Sequence, residues 1–116
     1  MTVDQAIEAE MAAYRNARAA HQIEAAWQAL ARVHILSQTR IWPHIRSHIE
    51  MLGFAVAMRD GKEVFGQMIR LVLAPLGNIT GPLPLGNTGR ANVSAFAPME
   101  IPEDLAGVMN KKRNSK

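Results

Sequence analysis

The chain has 116 residues, 48% of them hydrophobic, and no cysteine. A single domain of this length buries an ordinary core without staples, and the absence of thiols excludes disulfides, thiolate metal sites and a cysteine nucleophile. The formal charge is +3, but Lys111, Lys112, Arg113 and Lys116 crowd the final six residues, so the remainder is close to neutral. With no aromatic-rich strand or basic helix face beside it, this basic run (111–116) reads as a solvated, flexible tail, and nucleic-acid binding is disfavoured. The first twenty residues mix acids and arginines without an apolar leader core, and no stretch is long and apolar enough to span a bilayer. A cytoplasmic protein is the expectation, in which the N-x-[ST] matches at Asn78 and Asn92 carry no glycosylation meaning.

Residues 3–20 read as a first helix. Asp4 stands at a capping position, Glu8 and Glu10 sit early and Arg15 and Arg18 late, as the helix dipole favours, while Ile7, Met11 and Tyr14 recur at helical spacing. A break near His21 leads into a second helix, 23–37, with Ala26, Trp27, Leu30, Val33 and His34 on its apolar side. Pro43, a favoured first-turn residue, opens a third helix, 43–59, and Asp60-Gly61 marks the turn into a fourth, 62–73, which is expected to stop before Pro75. A shift of 38 residues aligns Trp27 with Phe65, Leu30 with Met68 and Arg32 with Arg70. This weak internal repeat suits two stacked antiparallel hairpins of tetratricopeptide type, with a plain four-helix arrangement as the rival.

After Pro75 the texture changes. Residues 75–101 hold most of the prolines and glycines and no sustained period, yet Leu76, Ile79, Leu85, Val93, Phe96 and Ile101 are too many apolar anchors for a solvated chain. An ordered irregular segment wrapping back over the helices is predicted. Pro102, Glu103 and Asp104 then open a short closing helix, 102–109. The fold class is therefore all-α.

Three histidines carry the clearest chemical signal. His44 and His48 are four apart on the third helix, so both project from one face. His34 stands level with His48 across a hairpin centred near residue 41. Neutral imidazoles suit Zn, Cu, Ni or Fe. A fourth ligand would come from Gln38, Glu50, Met51, Glu63, water or the long loop. The competing reading makes these histidines semi-buried structural residues bonded to loop carbonyls. Gly86-Asn87-Thr88-Gly89-Arg90 offers backbone N–H groups, a hydroxyl and a guanidinium to an anion, or is simply a tight turn with residues at positive φ. Arg32, Arg46, Arg59 and Arg70 have Glu24, Glu50, Asp60 and Glu63 as candidate ion-pair partners, solvated faces being the default reading.

The segments VHILSQ (33–38), HIRSHIEML (44–52), EVFGQMIR (63–70) and PLGNTGRANVSAFAPMEIPEDL (84–105) resemble a family of short uncharacterised bacterial proteins catalogued only as a domain of unknown function. The likeness covers nearly the whole chain. It implies a bacterial cytoplasmic protein with family positions at His34, Gln38, His44, His48, Glu63, Gly66, Gln67 and Arg70, and it supplies no activity. The family commonly has a second glycine where this chain has Arg90. Together these readings point to a small binding protein with a histidine-lined site, a divalent transition metal being the sharpest version. Its supporting residues would be Gln38, Glu63, Gln67, Arg70, Asn87, Thr88 and Asn92. A helical-repeat protein–protein interaction module, or a homodimer, is the alternative; a small enzyme using a histidine or a metal-bound water is the second.

Overall fold

The computed structural model describes residues 1–80 and 84–114, the last four of these by backbone alone. Five helices follow one another: α1 (Val3–Ala19), α2 (Ile23–Ser37), α3 (Ile41–Ala57), α4 (Gly61–Thr80) and α5 (Glu103–Asn114). The protein is all-α.

Local chemistry sets most of the boundaries. Thr2 and Gln5 form a reciprocal capping box at the start of α1, which satisfies two of the orphan N–H groups there. His21 and Arg59, at φ 58° and 56°, turn the chain between α1 and α2 and between α3 and α4. The Asp60 carboxylate accepts from the Glu63 N–H and caps α4.

Helices α1 with α2 and α3 with α4 form hairpins, joined through α2 against α3, while α5 lies on α1 and α2. Among the described residues, α4 packs directly on no helix but α3. The core lies between the hairpins: Met11, Tyr14, Trp27, Leu30, Met51 and Phe54 are buried together. Phe54 is held edge-on by both Tyr14 and Trp27, at centroid distances of 5.6 and 5.0 Å. A second cluster, Val3, Ala6, Ile35, Leu36 and Leu105, ties α5 to the first hairpin. Arg32 reinforces that junction through Glu10 at 2.8 Å and Asp104.

Three expectations need correction. The fourth helix does not stop before Pro75 but runs through it to Thr80. Proline removes one helical hydrogen bond, a cost of roughly 3 kcal/mol in a helix interior. Two contacts hold the extra turn in place: buried Ala74, and Asn78, whose amide donates to the Gln38 carbonyl of α2's C-cap at 3.0 Å. The irregular segment accordingly begins after Thr80; its residues 81–83 lie outside the described part. The closing helix likewise extends past 109 to Asn114, into the run expected to be a flexible tail, of which residues 115 and 116 also lie outside the description. Two of the four arginines are not on plain solvated faces and take other partners than the candidates: Arg32 reaches Glu10 and Asp104, and Arg70 bonds carbonyls while Glu63 binds Arg90.

Candidate metal centre

The i, i+4 spacing on α3 and the antiparallel approach of α2 bring His34, His44 and His48 into one cluster. Each is at most 5% exposed, and one ring nitrogen from each lies within 4.8 Å of the other two. Ring centroids are 4.6–5.1 Å apart. No carboxylate joins them among the described residues.

The outer nitrogen of every ring is tied to an oxygen. His34 Nδ1 meets the Asn87 carbonyl at 2.7 Å, His44 Nδ1 the Asn78 Oδ1 at 2.8 Å, and His48 Nδ1 the Gln67 Oε1 at 2.8 Å. The two amides are oriented by their own partners: Asn78 Nδ2 donates to the Gln38 carbonyl, and Gln67 Nε2 donates to Glu63 Oε2 and to the Gly89 carbonyl. These partners only accept, so the amide oxygens must face the histidines. All three rings are thereby fixed as Nδ1–H donors, with the Nε2 lone pairs turned inward.

Counting protons exposes the consequence. The chain of contacts runs from the Asn87 carbonyl through His34 and His44 to Asn78 Oδ1, with the two Nε2 atoms 3.1 Å apart in the middle. Three short contacts need three protons, and two neutral imidazoles carry two. The middle contact requires an added proton or another cation. A proton is disfavoured. Burial holds the His34 pKa well below 6.5, helped by the neighbouring His48, His44 and Arg70; burial likewise lowers His44 and brings His48 to about 4, the latter despite its Gln67 bond. A metal ion meets the same requirement with neutral rings. Nitrogens at 2.0–2.1 Å from a tetrahedral ion are roughly 3.3 Å apart, close to the 3.1 Å between His34 and His44, with the His48 nitrogen within 4.8 Å of both.

The irregular segment completes the site, organised around Asn87. That side chain, 2% exposed, accepts from Gly89 N–H and donates to the Ser94 and Ala97 carbonyls, all within 2.8 Å. Gly86 and Gly89 both sit at φ 81°, as the tight-turn reading expects, and the Gly89 N–H is committed to the Asn87 side chain. A Cβ on Gly89 would fall 2.7 Å from the His34 ring. Arg70 donates to the Val93 and Gly66 carbonyls, Glu63 accepts from Ala91 N–H and Arg90 Nε, and Arg90 lies 4.3 Å over Trp27.

Of the expected supporting residues, Gln67 and Asn87 touch the histidines directly. Gln38 holds Asn78 through its carbonyl and the Pro84 carbonyl through its amide, and Glu63 orients Gln67. Arg70 lines the site. Thr88 does not reach it, its hydroxyl accepting only from Arg90 N–H, and Asn92 is exposed on a separate shallow pocket beside Glu63. Of the proposed fourth ligands, Met51 is fully buried in the core and Glu50 lines the opposite groove. Asn78 was missed because its helix was expected to end at Pro75; with the helix continued, Asn78 falls one turn past Ala74 and two turns past Arg70, on the face that carries those two buried residues.

A cavity of about 240 Å³ opens beside the three histidines, walled by Arg70, Leu73, Leu76, Pro84 and Phe96 among others. A larger groove of about 730 Å³, between α1 and the start of α3, holds no comparable cluster. No helix among the described residues is long and apolar enough to cross a membrane.

No curated protein and no solved structure matches the chain. A family model does, over residues 1–109, taking in every residue of the histidine cluster and its supports. The chain belongs to that family, described as protein of unknown function (DUF3703).

Proposed function

We propose that this protein binds a divalent transition metal through Nε2 of His34, His44 and His48, with the fourth position facing the 240 Å³ cavity. The observation that carries the reading is the proton count: inward lone pairs 3.1 Å apart, on rings whose outer N–H groups are already committed. Each ligand histidine donates its second nitrogen to a fixed oxygen, the arrangement that orients metal-binding imidazoles and raises their basicity. Three neutral nitrogens without a carboxylate suit Zn, Cu or Ni better than the two-histidine, one-carboxylate set of non-haem iron. The residues fit the ion, which satisfies the His34–His44 contact with both rings neutral.

The cavity favours a second feature of the same site. Structural zinc is closed by four protein ligands, whereas a centre with three keeps a position for water or substrate. A bound ion would there lower the pKa of a water and polarise a small ligand; Arg70 on the wall supplies positive charge toward an anionic one.

Elemental analysis of protein purified without a histidine tag tests the reading. Near-stoichiometric metal, lost in His44→Ala/His48→Ala while the helical circular dichroism is kept, is the expected result. Metal-free wild type that takes up no Zn, Cu or Ni more tightly than about millimolar would leave the histidines structural and favour the interaction-module reading.

A further inference from the structure

The outer face of α4 is apolar and uncovered. Phe65, Ile69, Val72, Leu76 and Ile79 are 43–71% exposed, and their spacing alternates four and three residues, the seam pattern of paired helices. Between Lys62 and Thr80 the only charges are Glu63 and Arg70, and both are buried on the opposite side. Helix α3 carries half of the pattern, with Arg46 and Gly53 at the intervening positions. Trp42, Ile49 and Val56 recur every seven residues and are 54–74% exposed, opposite the buried His44, His48 and Met51.

We infer that this face of the α3–α4 hairpin is the contact surface for a second copy of the chain. Two such hairpins, related by a two-fold axis, make a four-helix bundle of α3, α4 and their symmetry mates. Area and pattern select this occupant. The eight side chains leave on the order of 1,000 Å² in water, beyond the few hundred of a typical monomer's largest patch. Covering it on two copies buries roughly 2,000 Å², the range of stable homodimers. The alternating seam is self-complementary, as an isologous contact requires. Nothing within the described chain competes for it, since α5 lies on α1 and α2 and the irregular segment lies over the histidines. Val72 is the midpoint of the α4 seam, so it meets its own copy across the axis. Leu76 belongs both to the seam and to the wall of the histidine cavity, which places the second copy at the cavity's edge.

Sedimentation of the full chain at 1–100 µM, with chelator present, tests the contact independently of any metal. Wild type is expected at twice the 12.8 kDa chain mass. Val72→Glu and Val72→Lys are each expected as folded monomers, with dimerisation weakened at least 100-fold, and mixing the two restores a dimer because opposite charges then face each other. A wild type that stays monomeric at 100 µM overturns the inference. Monomers that instead float with anionic phospholipid vesicles assign the face to a membrane surface and overturn it too. A dimer that both variants leave intact places the contact elsewhere.

Discussion

At the residue scale, the decisive fact is that each histidine is held by a different kind of neighbour: a loop carbonyl, an asparagine and a glutamine. Replacing Asn78 or Gln67 by Ala frees one ring to rotate and change tautomer. Metal affinity should fall roughly 10- to 100-fold in each, measured by calorimetric titration, with little loss of helix content. The same burial makes the metal-free protein acid-sensitive. In the unfolded chain histidine takes its proton near 6.5, whereas the folded His48 resists until about 4 and His34 and His44 are also lowered. The unfolded state therefore binds more protons in that window, so stability is full above about pH 7 and falls as pH drops from 6.5 toward 4. For His48 alone the loss approaches about 3 kcal/mol. Chemical denaturation across pH 4–8 should show a midpoint that declines on the acid side and is flat on the neutral side; the triple replacement of these histidines by Asn or Gln should flatten it.

At the scale of elements, the irregular segment is as much a part of the site as the helices are. Asn87→Ala removes three side-chain hydrogen bonds from a buried position and leaves two carbonyls and an N–H without partners. A destabilisation of about 2–4 kcal/mol is expected, read as a lower midpoint in urea. Gly89→Ala should act more locally: the strained φ and the 2.7 Å approach to His34 displace that ring, so metal binding falls more than stability does. The helices themselves were legible in the sequence because hydrophobic spacing, Pro43 and Asp60-Gly61 are local signals, and so was the meeting of His34 with His44 and His48, which needs only a helical period and a hairpin. Asn78 was not, since a proline rule that is sound in isolation was overridden by tertiary contacts at Ala74 and Asn78. The Asn87 carbonyl could not be read either: a backbone acceptor leaves no trace in residue type, and Thr88 and Asn92 looked as suitable as Asn87 until the turn at Gly86 and Gly89 fixed which of them faces inward.

At the scale of the whole molecule, the histidine cluster gathers both hairpins and the irregular segment at one point. The three histidines come from both hairpins, and their supports come from α4 and the segment after it, although among the described residues α4 packs on no helix but α3. An ion that binds only the folded chain should stabilise all of these together; at a hundredfold excess over Kd the gain is about 2.7 kcal/mol, visible as a rise in thermal midpoint with Zn that His34→Ala abolishes. The most direct test of the account is X-ray absorption at the metal edge of the loaded, tag-free protein. Three imidazole nitrogens at about 2.0–2.1 Å, with one further light atom, are predicted, and the imidazole signal should be lost in His44→Ala/His48→Ala. An all-oxygen shell, or a spectrum unchanged in that variant, would contradict it.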